Sequence, residues 1–533
     1  MRPGGRARKR ERPGNNSIAG FTNIHIIRFI ENSLTTEFAA EFSGARRPDS
    51  RKTVEGIFMR SISNLKTAIA AAALLSAAAC IRFQPKPVTA AAILDDFEAR
   101  RLDAPELRDF LRANRDNRDW PPSAWDLKAM TLAAFYYHPD LDIARAQWGI
   151  AETGRITARE RPNPSMNPAI GYNATSPIDE VTPWIPEIAL EIPLEVAGKR
   201  GFRIASARHT AEAARWNILS AAWEVRNRLR AALLELYAAE RAETIIVSQQ
   251  ILQTDIVKIL EAQREAGEIS AYEVTQARVA LDNSRLAVLE AARTSEESRA
   301  KLAAGLGLPR PALDGIRISF DVFERPLAEI PAGDVRRQAL INRSDILALL
   351  SEYEAAQNAL RLEIAKQYPD IRIGPNYQLD QTDGKWMIGL ALDLPIFSRN
   401  KGPIAEAEAR RTETAARFRA LQSRVLGELD AAVADYRAAL LKSKAADELL
   451  ADLTKQETAA QARFAAGEIA KLDLLGIRLE LSVSAIIRLE ALVKTQEAAG
   501  RLENAAQSPL EIGDWLFTKT PPGTGTVKER KND

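Results

Sequence analysis

The chain repeats itself at an offset of about two hundred residues, and this repeat limits the possible folds more than any other feature. Arg264-Glu265-Ala266-Gly267-Glu268-Ile269 returns as Phe464-Ala465-Ala466-Gly467-Glu468-Ile469, 200 residues on. Glu191-Ile192-Pro193-Leu194 returns as Asp393-Leu394-Pro395-Ile396 at an offset of 202, and Lys199-Arg200-Gly201 is echoed by Asn400-Lys401-Gly402. His138-Pro139-Asp140-Leu141 has a looser counterpart in Arg343-Ser344-Asp345-Ile346. Self-similarity at a fixed spacing points to one supersecondary unit used twice. The two units run over 122–308 and 333–506, joined by a proline-bearing link at 309–332.

Each unit reads as a helix, two strands and two very long helices. Residues 202–265 contain no proline and are rich in Ala, Leu, Glu and Arg. As one helix they would extend roughly 95 Å. Ile218, Ala222, Val225, Leu229, Ala232 and Leu236 recur at alternating spacings of four and three, the seam of a coiled coil. Gly267 breaks this helix and 269–303 forms the return arm; 403–465, Gly467 and 469–504 repeat the pattern. Helices of this length cannot bury themselves in a compact globule. They call for an elongated bundle or a wall built with other subunits.

Between the helices the period changes from 3.6 to two. Trp184, Ile188, Leu190, Ile192 and Leu194 fall on one side of a strand, with Glu187, Ala189, Glu191 and Glu195 on the other. Trp386, Ile388, Leu390, Leu392, Leu394 and Ile396 alternate with Met387, Gly389, Ala391 and Asp393. Ile371, Ile373, Tyr377 and Leu379 alternate with Arg372, Gly374, Asn376, Gln378 and Asp380, and a shorter run sets Met166, Ile170 and Tyr172 against Asn167, Gly171 and Asn173. Segments of about ten residues with an apolar outer face and terminal Trp suit a transmembrane barrel. Four strands cannot close around water, and lipid does not tolerate open edges. A trimer contributing twelve strands would satisfy both constraints. The alternative is two soluble hairpins, each with one face on a protein core.

Composition removes several function classes. Lys plus Arg number 73 and Asp plus Glu 71, a net charge of +2, without the basic excess of a nucleic-acid binder. One Cys and three His leave no disulfide framework and little for a His- or Cys-based metal site, and no cofactor is expected. Residues 59–80 form a basic start, a short apolar run and small residues before Cys80, a secretory signal too short to span a membrane. Residues 1–58 read as an over-long start, 81–121 as an N-terminal extension and 507–533 as a tail, disordered from about 519. Leu74 to Cys80 resembles a bacterial lipoprotein box, with Ala77 where Leu is more usual, making Cys80 a candidate lipid anchor. Ile81, rather than Asp, favours the outer membrane by resemblance to sorted lipoproteins. Downstream of Cys80 no stretch of about 18 apolar residues could span a bilayer as a helix. If this chain crosses a membrane, it does so with strands.

Taken together, the duplicated strand-strand-helix-helix order, the Pro193 and Pro395 strand ends and the Gly267 and Gly467 helix breaks resemble the TolC-like outer-membrane factor family. These are the exit ducts of tripartite efflux pumps and type I secretion. Leu194 to Gly201 and Phe397 to Gly402 look most like the branch serving cobalt-, zinc- and cadmium-type cation exporters. The resemblance implies a mainly α fold with a membrane β part: a homotrimer with a twelve-stranded barrel in the outer membrane of a Gram-negative bacterium and a long periplasmic α-helical barrel. Its tips at Gly267 and Gly467 would meet a periplasmic adaptor and a proton-driven inner-membrane transporter. The resemblance also implies a constriction formed by Glu273, Asp473 and Phe464, the two acids lying six positions past the glycines. Gly476 stands where a second acid can occur, and Ile469 where an Arg can stand.

Three copies of Glu273 and Asp473 would surround a narrow aqueous path, attracting cations and raising some carboxylate pKa values by crowding. Both are also ordinary first-turn acids, favoured by the helix dipole. Glu187, Glu191, Glu195, Asp380 and Asp393 would line the barrel lumen, against Arg372 alone, giving an acidic passage. The expected activity is passive metal-cation export without covalent chemistry. The same duct could carry drugs or secreted polypeptides, and a periplasmic coiled-coil scaffold without a pore is the competing class. An enzyme would need a phosphate loop, a Ser-His-Asp pattern or clustered histidines, and the sequence has none.

Overall fold

The computed structural model describes residues 83–114, 120–174, 182–324, 336, 339–380 and 383–508. The segment read from the sequence as a signal, with Cys80, and the tail beyond Ser508 lie outside the described residues. Residues 83–88 fall in a separate unit from the rest and carry no helix or strand.

Four helices open the main unit: α1 (Ala90–Glu98), α2 (Pro105–Ala113), α3 (Leu127–Tyr137) and α4 (Pro139–Arg159). Strands β1 (Ser165–Tyr172) and β2 (Trp184–Leu194) follow, then α5 (Lys199–Glu265) and its return arm α6 (Ala271–Leu306). After a short helical turn at Asp321–Glu324 the same order recurs: α7 (Ser344–Ala365), β3 (Ile371–Asp380), β4 (Asp383–Leu392), α8 (Lys401–Ala465) and α9 (Lys471–Ala506). At 67 residues, α5 is about 100 Å long.

The helix ends follow from local chemistry. Gly267 and Gly467 take left-handed φ values of 80° and 76°. Behind them the chain closes 5→2 and 6→1 bonds: Gly267 N to Arg264 O and Glu268 N to Gln263 O, and likewise Gly467 N to Phe464 O and Glu468 N to Arg463 O. This is a Schellman cap, used twice. The return arms therefore begin at Ala271 and Lys471, two residues later than the sequence suggests, because Ile269 and Ile469 belong to the caps. At the opposite ends, Ala197–Gly198 and Arg399–Asn400 are pairs of left-handed residues that turn the chain from strand into helix.

Two apolar cores sit part-way along the long helices. The first packs Leu132 and Phe135 of α3 with Leu229, Leu233 and Leu236 of α5 and Leu302 and Leu306 of α6, closed by Trp125 and Phe323. The second packs Ile346 of α7 with Val425, Leu429 and Tyr436 of α8 and Ala498 and Leu502 of α9. The coiled-coil seam behaves as its spacing predicts: Ile218, Ala222, Val225, Leu229 and Leu236 are buried, and Ala232 is partly so. The strands form one antiparallel sheet in the order β1-β2-β3-β4, in which the β2–β3 pairing joins the two repeats side by side. No strand packs extensively on a helix among the described residues. The hairpins are therefore not folded back onto their own helices.

Candidate functional site

The sheet has two unlike faces because its register pairs like with like. Met166 faces Leu190 and Tyr172 faces Trp184 across β1–β2. Ile192 faces Ile373 and Leu194 faces Ile371 across β2–β3. Ile373 faces Leu390 and Tyr377 faces Trp386 across β3–β4. This apolar face is open: Trp184, Ile188, Leu190, Ile192 and Leu194 are exposed, and Trp386 and Ile388 reach 76% and 82%. Two aromatic pairs, Tyr172–Trp184 at 5.0 Å and Tyr377–Trp386 at 4.9 Å between centroids, lie toward the hairpin turns. β1 and β4 each pair on one side only, leaving two open edges.

The other face is polar and internally paired. Asn376 Nδ2 donates to Glu187 at 2.5 Å, Lys385 Nζ to Asp380 at 2.6 Å, and Arg372 to Asp393 at 2.6 Å, with Glu191 4.0 Å from the same guanidinium. Arg372 is thus not the lone cation of this face. Lys385 shares it because β4 starts at Asp383, ahead of the Trp386 where the alternation first becomes legible. Glu195 lies just past β2, largely buried, and accepts two bonds from Arg203 at 2.5 and 3.1 Å. That bond pushes the Arg203 guanidinium above its ordinary value.

At the base of the sheet the turn residues act as joints. Arg200 donates twice to Arg159 O, at 3.0 and 2.7 Å, and Arg203 donates to Ala158 O and Glu160 O. These carbonyls belong to the last turn of α4 and its flank, which has no intrahelical donors left and favours cations. Lys199 Nζ donates to Tyr368 O and Asp370 Oδ1, both at 2.7 Å, tying the start of α5 to the entry of β3. In the second repeat Asn400 Nδ2 reaches Glu363 O and its carboxylate. The segments that carry the likeness to cation exporters therefore fix the start of α5 to the end of α4 and the entry of β3, and the start of α8 to the end of α7.

At the far end lie the hairpin tips. Glu273 Oε2 accepts from Ser270 N at 2.8 Å and Ser270 Oγ at 3.0 Å, while Ser270 Oγ accepts from Glu273 N at 3.4 Å, a complete capping box. Asp473 Oδ2 accepts from Ala470 N at 3.1 Å, but Ala470 has no side-chain oxygen to return the bond. Both carboxylates are exposed and each bonds inside its own hairpin. Phe464 is half-buried one turn before the second tip. Above each tip an arginine crosses between the arms: Arg278 Nε to Glu261 at 2.8 Å, and Arg478 to Glu457 at 2.8 Å and Gln461 at 2.5 Å.

Both repeats match a single family profile, Outer membrane efflux protein, over residues 137–308 and 335–506. The chain belongs to this family. The efflux protein is 27% identical over 376 residues to the cobalt-zinc-cadmium resistance protein CzcC of Cupriavidus metallidurans, covering 68% of this chain and 85% of that one. Its fold resembles the outer membrane protein VceC of Vibrio cholerae, with TM-score 0.58 and 20% identity over 72% of this chain and 97% of that one. It also resembles CusC, a transmembrane channel, with TM-score 0.58 and 17% identity over 73% and 94%. At such identities the likeness concerns the fold alone.

One polar cluster of this efflux protein has no local signature in the sequence. Arg226 of α5 donates to Glu503 of α9 at 2.7 Å, and Arg230 donates to Gln496 O at 2.7 Å and Gln496 Oε1 at 2.9 Å. Gln496 Nε2 donates on to Phe323 O, in the link between repeats. All four side chains are buried. Gly500 makes room, since a Cβ there would lie 2.6 Å from Arg230 Nη1. Among the described residues no helix is long and apolar enough to cross a membrane, and no cluster of three His, Cys, Asp or Glu could hold a metal ion.

Proposed function

We propose that this outer membrane efflux protein is the passive exit duct of a tripartite system and works as a homotrimer. The observation that carries the reading is the sheet: an apolar face open to its surroundings, flanked by two unpaired edges. In water such a face would be a large exposed patch, and in lipid a single copy would leave backbone groups unsatisfied. Three copies, edge to edge, give a twelve-stranded barrel with the apolar face toward lipid and the polar face inward. Cys80 would add a lipid anchor, and the helical hairpins would extend the conduit through the periplasm. Their tips at Gly267 and Gly467 would meet an adaptor and a proton-driven inner-membrane transporter.

Glu273, Asp473 and Phe464 would form the narrow end, and a small rotation of the hairpins would open it. Glu187, Glu191, Asp380 and Asp393, outnumbering Arg372 and Lys385, would make the upper passage acidic, whereas Glu195 is taken up by Arg203 beyond β2. Metal cations are the proposed cargo, supported by the likeness to the cobalt-zinc-cadmium resistance protein CzcC.

Deleting the gene and plating on graded cobalt, zinc and cadmium tests the cargo. The deletion strain should be sensitised to the cations and rescued by the wild-type chain. Sensitivity only to organic drugs, or loss of a secreted polypeptide, would replace the cargo. A heat-modifiable trimer in the outer-membrane fraction tests the duct itself; a soluble periplasmic species would leave only a scaffold.

A further inference from the structure

We propose that Arg278 and Arg478 are braces that lock the two arms of each hairpin together above its tip, so that a hairpin tip moves as one body. The proposal rests on the duct reading for its consequence, but its geometry stands on the protomer alone. Arg278 lies five residues past Glu273 and reaches back to Glu261 of α5; Arg478 lies five past Asp473 and reaches Glu457 and Gln461 of α8. Glu261 and Gln461 occupy equivalent places, each six residues before its tip glycine. The same crossing is thus built twice from diverged surroundings, ionic in one repeat and shared between a carboxylate and an amide in the other.

The apolar seam beside the braces is narrow. In the first hairpin Val257 and Val274 are the buried pair nearest the tip; in the second, Ala460 stands with Leu474 and Leu475. Small contacts leave helix arms free to slide. A planar guanidinium bonded across the gap fixes their relative height as well as their spacing. The Arg478 brace is the less exposed, with Glu457 21% and Arg478 39% accessible, so water screens it less than the Arg278–Glu261 pair. By holding the arms in register, the braces fix where Glu273 and Asp473 sit around the axis. They are positioning residues and need not touch the cargo.

The test uses full-length protein purified from membranes. Spin labels at Lys455 and Glu480, on opposite arms of the second hairpin, report the inter-arm distance distribution. Arg478→Ala should broaden it, with helix content unchanged, and Arg478→Lys should restore it only in part, because an ammonium cannot hold both partners in a fork. An unbroadened distribution in Arg478→Ala overturns the brace, whether or not the protein conducts. In planar bilayers the Arg278→Ala/Arg478→Ala double variant should lose cation selectivity. A Gln461→Cys/Arg478→Cys pair should regain it on oxidation and lose it on reduction. Selectivity unchanged in the double variant, or indifferent to the disulfide, also overturns the proposal. A wild-type protein that forms no channel would instead sink the duct, leaving the distance measurement to judge the brace.

Discussion

The two repeats build one architecture from different residues, and setting them side by side separates what the geometry forces from what it leaves free. Both need a left-handed glycine at the tip, and both have it, at Gly267 and Gly467. Both need two left-handed residues between strand and helix, yet one uses Ala197–Gly198 and the other Arg399–Asn400. The α6 and α9 arms dock by different means. Ala303 of α6 sits in an apolar core, whereas Glu503, 200 residues on, is bonded to a buried arginine. Backbone conformation is thus held in common, while the means of burial have diverged. The second repeat took on polar bonds where it meets the first.

The sharpest difference lies in the sheet. A Cβ on Gly374 would fall 1.6 Å from Leu190 O, across the seam between repeats, beside a Pro375 that has no N–H to pair. On Gly171, the glycine of β1, it would only touch Ile185 at 3.4 Å. Gly374→Ala should therefore destabilise by more than about 3 kcal/mol, since neither backbone can give way. Gly171→Ala should leave membrane assembly intact. Equal recovery of both variants in the outer-membrane fraction would show that the β2–β3 approach is looser than it looks.

Next in size is the buried lock. Removing the Glu503 carboxylate leaves Arg226 and Arg230 buried beside an unmatched space, a loss of about 3–5 kcal/mol for a broken buried pair. Glu503→Ala should lower the denaturation midpoint accordingly, and Glu503→Gln should fall between it and the wild type. A shift of less than about 0.5 kcal/mol would reduce the cluster to an ordinary surface contact.

This cluster also marks how far sequence carries. The repeat, the helix breaks and the apolar side of every strand were legible, because each is a local period or a single special residue. The Arg226–Glu503 bond spans 277 positions and has no period. Arg200 looks like part of a family signature, but its partner is a carbonyl oxygen at the end of α4, which no side-chain pattern announces. Lys385 escaped because the strand's start lies before its first apolar residue. Glu273 and Asp473 were recognisable as first-turn acids; their difference as caps depended on residue 270 being Ser and residue 470 Ala.

That difference gives a smaller test. Ser270→Ala should cost about 1 kcal/mol at the start of α6, the usual price of a lost N-cap. Ala470→Ser should return a similar amount to α9. Amide exchange in the first turns of α6 and α9 reads both directly. Changes confined to one hairpin would mean that the tips do not share the same cap geometry. No change in either would mean that the boxes contribute nothing to tip order.

The smallest expected effect separates the repeats by pH. His138 caps the start of α4, where its Nδ1 accepts from Asp140 N at 3.2 Å and so must carry no proton. Burial holds its pKa below the ordinary imidazole value, opposed by Asp140 and helped by Arg228. As pH falls below about 6.5, the unfolded chain takes up a proton that the folded chain resists, so stability is full above that value and declines beneath it. Asp140 is itself held below the usual carboxylate range by its bond from Arg228, so its contribution is lost only at more acid pH, as the folded carboxyl protonates. The second repeat begins α7 with Arg343, bonded to Ala505 O and Asp345, and has no histidine at that place. Melting the wild type and His138→Asn from pH 8 to pH 5 should show a slope in the former that flattens in the latter, because Asn caps without titrating. Parallel slopes would place the acid sensitivity elsewhere and remove this asymmetry between the two helix starts.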